Sequence, residues 1–110
     1  MGLVKYLLII LLLIPSIAFA DIHNAASCSS ADVATAITAS ADGDIVTIPP
    51  GDCSGTPWTT GVTIPSGKNI TIQGAGYNNT IIGHGNITVF NLNGTSTRIT
   101  GLQFKRMPAD

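Results

Sequence analysis

The stretch Asn69-Ile70-Thr71-Ile72-Gln73-Gly74-Ala75-Gly76 alternates apolar and polar side chains over four positions and then reaches two glycines. Alternation with a period of two marks a strand with one buried face, and glycine directly after it marks a sharp corner. Similar stretches lie on either side. Val46-Thr47-Ile48 superimposes on Ile70-Thr71-Ile72 at an offset of about 24 residues, and the latter on Thr97-Arg98-Ile99 at about 27, which also sets Gly74 over Gly101. A second series sets Val62-Thr63-Ile64 over Ile87-Thr88-Val89 at an offset of about 25 residues. Ile81-Ile82 falls between members of these series.

Two strand series sharing nearly one period point to stacked repeats, and three short strands per repeat ended by Gly, Pro or Asn suit a triangular parallel β-helix. In each strand the flanking Val or Ile side chains face one way and the central Thr the other. The expected inward columns are Ile48, Ile72 and Ile99, with Val62 and Ile87 beginning a second. Thr47, Thr63, Thr71 and Thr88 then form the outer surface. A β-sandwich of antiparallel strands is the alternative, but two-residue hairpin turns are not apparent and the offset is more regular than hairpin loops require.

Ahead of the strands lies one helical pattern. Ser29-Ser30-Ala31-Asp32 has Ser at the cap position and an acid three residues on, the spacing of reciprocal capping. Val33, Ile37 and Ala41 recur at four-residue spacing on one face. Gly43, between Asp42 and Asp44, is the expected terminator because it takes a left-handed backbone without a Cβ clash. A short helix with one narrow apolar stripe is not stable alone and has to lie on something.

The first 20 residues have the form of an export signal: Lys5, an apolar run from Tyr6 to Ile14, Pro15, and Ala18-Phe19-Ala20 before an expected cleavage ahead of Asp21. The apolar run is shorter than the roughly 20 residues of a bilayer-spanning helix. The chain is therefore expected to be secreted, extracellular or periplasmic, with no membrane association after cleavage. Five Lys and Arg against six Asp and Glu give a net charge of −1, which lacks the basic surface that nucleic-acid binding requires. The two cysteines, Cys28 and Cys53, lie beyond the signal. In an oxidising compartment such a pair is expected to form a disulfide. No metal-ligand spacing links them to His23 or His84.

Several of these features together resemble the N-terminal part of the pectin-lyase-like superfamily, the right-handed parallel β-helices. They are the helix ending in Ala41-Asp42-Gly43-Asp44, followed by Ile45-Val46-Thr47-Ile48-Pro49-Pro50-Gly51; then Val62-Thr63-Ile64; then Ile70 to Gly76; then Thr80-Ile81-Ile82; and last Ile99-Thr100-Gly101-Leu102-Gln103-Phe104. The resemblance spans residues 31 to 106. It implies an all-β solenoid over residues 21–110, with strands from residue 45 and a capping helix near residues 29–42, fastened to the first turn by Cys28 and Cys53. No second cap follows Phe104, so the expectation is a β-helix that continues past Asp110.

The resemblance implies a polysaccharide partner and an enzyme that cleaves acidic polysaccharides, by calcium-assisted β-elimination or by hydrolysis with paired acids. Family catalytic residues lie on central turns, so none is assigned here, and no cofactor is evident in this stretch; calcium belongs to the lyase branch. A non-catalytic surface solenoid, an adhesin or carbohydrate-binding scaffold, is the alternative. Asp42, Asp44 and Asp52 have a calcium reading and a plainer one as turn and cap residues. Trp58 reads as packing rather than a sugar platform, and His84 as a corner residue rather than a base. Arg98, Lys105 and Arg106 are the hint of an anionic ligand beside a reading as solvated charge. Asn69, Asn78, Asn86 and Asn93 begin Asn-x-Ser/Thr sequences and read first as corner residues that tolerate left-handed backbone. A charge on the capping face tests the cap: Ile37→Asp is expected to impair folding or secretion, and unchanged secretion and melting would count against it.

Overall fold

The computed structural model describes residues 19–93 and 96–107. The segment expected to be an export signal therefore lies outside the described residues except for Phe19 and Ala20. Among the described residues there are nine strands and one helix: β1 (Ile22–Asn24), α1 (Ser30–Ala39), β2 (Ile45–Thr47), β3 (Gly51–Asp52), β4 (Val62–Ile64), β5 (Thr71–Gln73), β6 (Thr80–His84), β7 (Phe90–Leu92), β8 (Arg98–Thr100) and β9 (Gln103–Arg106).

Every strand pairing is parallel, and the strands sort into three sheets: β1-β2-β5-β8, β3-β6-β9 and β4-β7. From β2 onward the chain visits the three sheets in a fixed cycle, because strand n and strand n+3 are always neighbours. Parallel neighbours cannot be joined by a tight hairpin, so each return to the same sheet takes a whole circuit of the chain. The fold is thus mainly β, as the alternation predicted, and the antiparallel alternative is excluded among the described strands.

The register of the first sheet places His23, Val46, Ile72 and Ile99 in one line. Ile72 opposite Ile99 is the register predicted from sequence. Val46, rather than Ile48, stands opposite Ile72, a slip of two residues from the expected offset. A slip of two preserves the face on which each side chain lies, so Val46, Ile48, Ile70 and Ile72 are all buried. The third sheet departs further. Val62 pairs with Phe90 and Ile64 with Leu92, so the predicted strand Ile87-Thr88-Val89 is instead a connection. Ile87 and Val89 still pack against the core from that connection, which explains why their apolar spacing imitated a strand.

The core runs through Val46, Ile48, Ile70, Ile72, Ile82, Val62 and Ile64 and continues under the helix to Val33 and Ile37. Ser29 caps α1 by accepting from Asp32 N–H, while the Asp32 carboxylate accepts from Ser27 Oγ instead of reaching back to Ser29 N–H. The buried face of α1 is Val33, Ala36 and Ile37; it packs on β4, β1 and β2. Ala41, expected on that face, is exposed, because the helix stops at Ala39 and Ser40 is already extended. Gly43 has the expected left-handed backbone (φ 89°), but in the turn closed by Asp44 N–H on Ala41 C=O (3.0 Å), not as the helix terminator. The end of the helix is served by Lys68, whose Nζ donates to Ile37 C=O at 3.0 Å.

Cys28 and Cys53 are bridged, with Cα atoms 6.1 Å apart, so the loop before α1 is tied to the end of β3. The described residues contain no other cysteine. No helix among them is long and apolar enough to cross a membrane.

Corners between circuits require close backbone approach. A Cβ on Gly74 would lie 2.3 Å from Gly101 O and 2.4 Å from Leu102 Cδ2, with Gly74 N–H donating to Thr100 C=O at 2.9 Å. Backbone cannot yield as a side-chain tip does. Gly74→Ala is expected to cost about 1–3 kcal/mol in chemical denaturation, the usual range for overpacking, and a variant as stable as the parent would contradict the packing at this corner.

Candidate functional site

Among the described residues, a group of three acidic and histidine side chains converges where the first circuit begins. Residues at i and i+2 of an extended segment share a face, so Asp21 and His23 project to the same side at the start of β1. Parallel pairing of β1 with β2, His23 opposite Val46, brings Asp44 beside Asp21. The Ala41–Asp44 turn sets Asp44 immediately ahead of β2, and Ile45 N–H donates to Asp21 C=O at 2.9 Å. Donor atoms of Asp21, His23 and Asp44 all lie within 4.8 Å of one another.

Asp44 is the centre of this group. Its side chain is only 9% exposed, so its carboxylate oxygens need protein partners. Oδ1 accepts from Asp21 N–H at 3.1 Å; Oδ2 accepts from Ala41 N–H at 2.8 Å and lies 2.9 Å from His23 Nε2. The Ala41 N–H first, then the His23 ring, then the Asp21 N–H hold its pKa below the ordinary carboxylate value, against an opposing push from desolvation. The group is therefore ionised at neutral pH and orients the imidazole through Nε2. Asp21 is exposed and leaves the group open to solvent on one side.

The acids considered for calcium do not converge. Asp44 belongs to the group just described, while Asp42 accepts from Asn69 N–H at 2.8 Å. Asp52 accepts from Ser54 N–H at 2.9 Å, and hydrogen bonds from Ser54, side chain then backbone, lower its pKa with a small contribution from the charge of Lys105. Trp58 is buried: its Nε1 donates to Cys28 C=O at 2.9 Å and its ring meets Phe90 edge-on at 5.6 Å between centroids. The residue therefore fastens the loop before α1 to the third sheet and presents no face for a sugar ring. His84 ends β6, opposite Arg106 on β9, with Nδ1 2.8 Å from Gly85 C=O.

Arg98, Lys105 and Arg106 are exposed on β8 and β9, the last strands of their sheets. The asparagines correct a sequence expectation. No described residue other than glycine has a left-handed backbone, so Asn69, Asn78, Asn86 and Asn93 do not serve as left-handed corner residues. Asn69 acts through its side chain, whose Oδ1 accepts from Ser96 N–H at 3.0 Å.

Sequence reasoning missed Asp21 and His23 because their partner is remote in the chain and β1 is too short to show a pattern of its own. Only the parallel register discloses the meeting. No protein-family model, curated protein or solved structure matches this chain.

The electrostatics give a signed pH dependence. Because the folded-state pKa of Asp44 is depressed, its contribution to stability is fully present above the unfolded value, about 3.9, and is lost as pH falls through the folded value. An asparagine offers one acceptor where the carboxylate offers two. Asp44→Asn is expected to melt below the parent at pH 7, with the difference shrinking below about pH 4. A difference in melting temperature that stayed constant across this range would exclude the ionised carboxylate as its source.

Proposed function

We propose that the chain is the capped front of a right-handed parallel β-helix belonging to an exported protein that degrades acidic polysaccharide, as a lyase or a hydrolase. The observation that carries this reading is the cyclic passage through three parallel sheets with α1 lying over one end. The hand follows from the strong general preference of parallel crossovers for right-handedness. The first circuit of such a stack has an open apolar end and unpaired strand edges, which a covering helix answers.

Export is supported by the signal-like first 20 residues and by the Cys28–Cys53 bridge, which suits an oxidising compartment. An anionic polymer is supported by the resemblance and by Arg98, Lys105 and Arg106 together on the strands farthest from the cap. In this reading the segment anchors and caps the solenoid while reacting groups reside on circuits beyond it, and calcium would serve the lyase branch. The outward polar ladder, in which Thr47 Oγ1 donates to Asn24 Oδ1, favours the second reading of a carbohydrate-binding or adhesive scaffold.

The test uses the protein expressed from its complete reading frame and secreted. Incubated with pectin-like and other uronate-containing polymers, with and without calcium, it is expected to generate unsaturated ends (lyase) or new reducing ends (hydrolase). Retention on the same polymers without any new ends would displace the enzyme in favour of the scaffold.

A further inference from the structure

The group at the start of the first circuit has a composition that capping does not require. Two carboxylates and one imidazole converge within 4.8 Å, and one of the carboxylates, Asp44, is almost fully buried. Asp21 is exposed, so the group is open on one side to a cation from solvent. A fourth donor arises from the chemistry of export. Cleavage before Asp21 would convert its backbone N–H, already 3.1 Å from Asp44 Oδ1, into an α-amino group at the same point. The first three residues would then read Asp21-Ile22-His23, with the amine and the imidazole at opposite ends of a tripeptide whose first side chain is also a ligand.

We propose that Asp21, His23 and Asp44, joined by the α-amino group released on export, bind a zinc ion. Two nitrogens and two carboxylate oxygens meet the four-coordinate preference of Zn²⁺, whereas Ca²⁺ takes six to eight oxygens, which this group does not provide. Binding replaces the His23 Nε2–Asp44 Oδ2 contact by metal bonds to both atoms. The imidazole keeps one proton on Nδ1, the α-ammonium releases one proton to solvent, and the ion's two positive charges balance the two carboxylates. The consequence lies in the fold: the ion would clamp the first strand to the second at the capped end. The proposal rests on the export reading for its amine only, since the three side chains meet without it.

Cysteine does not confuse the measurement, because both cysteines are in the bridge. The secreted protein is sequenced from its N-terminus, freed of metal with a chelator, and titrated with Zn²⁺ while the histidine ring signals are followed by NMR. Competition against a chromophoric chelator gives the affinity. One Zn²⁺ per chain is expected, shifting the ring signals of His23 and not those of His84. His23→Gln and Asp44→Asn are each expected to weaken binding at least about 10–100-fold, and one serine inserted before Asp21 about 10-fold, while His84→Gln binds as the parent does.

Zn²⁺ that leaves the His23 ring signals of the folded parent unmoved overturns the site without recourse to any variant that fails to fold. Binding that survives His23→Gln overturns it equally. A secreted protein beginning elsewhere than Asp21 would overturn the export boundary and the amine ligand, whereas the His23 shift still reads the three-side-chain site separately.

Discussion

A side chain in a two-residue alternation has two directions to face, and the line His23–Val46–Ile72–Ile99 settles which one points inward. Once these residues stand over one another in parallel, the strands bearing them are committed to the same orientation, and the chain between them has to travel around the core to return. The other two sheets follow from that return path. Ile82 and the pair Val62 and Ile64 close the remaining sides of the same apolar space, all of them buried. Burial of a Val or Ile side chain contributes roughly 1.5–3 kcal/mol relative to exposure, so a column of stacked isoleucines is a strong constraint on register.

The same geometry creates a problem at the end where the stack begins. β4 has no earlier strand beside it in its sheet, and Ile64 on it would otherwise be left open on that side. The helix α1 covers that end with Val33, Ala36 and Ile37, but a ten-residue helix has little stability by itself. Three attachments hold its two ends: the Cys28–Cys53 bridge and Trp58 Nε1 on Cys28 C=O, both before its first turn, and Lys68 Nζ on the Ile37 carbonyl at its last turn. The bridge closes a sequence separation of 25 residues, which on the chain-entropy model contributes roughly 3 kcal/mol.

The partly buried His23–Asp44 pair lies beside the strands on which α1 packs. Asp44 receives N–H groups from the turn before it and from the segment ahead of β1, and so joins the start of the chain's first strand to the start of its second. One buried carboxylate thus serves as the closing point of the first circuit. The exposed cations Arg98, Lys105 and Arg106 stand on β8 and β9, the last strands reached. A separation of roles along the chain follows, with a hydrogen-bonded charge pair beside α1 and exposed cations on β8 and β9.

The sequence by itself determined the parity of the strands, the helix and its Ser29 cap, the pairing of the only two cysteines, and the pairing of Ile72 with Ile99. Each of these is local, or is a repeat in which the same residue types recur at one spacing. What the tertiary structure decided is where circuits differ in length. Val46 rather than Ile48 lies under Ile72, because the exchange keeps the inward face and costs the alternation nothing. Phe90 rather than Ile87 lies on Val62, because a connection can bury Ile87 and Val89 as well as a strand can. The meeting of Asp21, His23 and Asp44 was likewise invisible in sequence. Two short segments with no periodicity of their own become neighbours only when hydrogen bonding between parallel strands fixes their register.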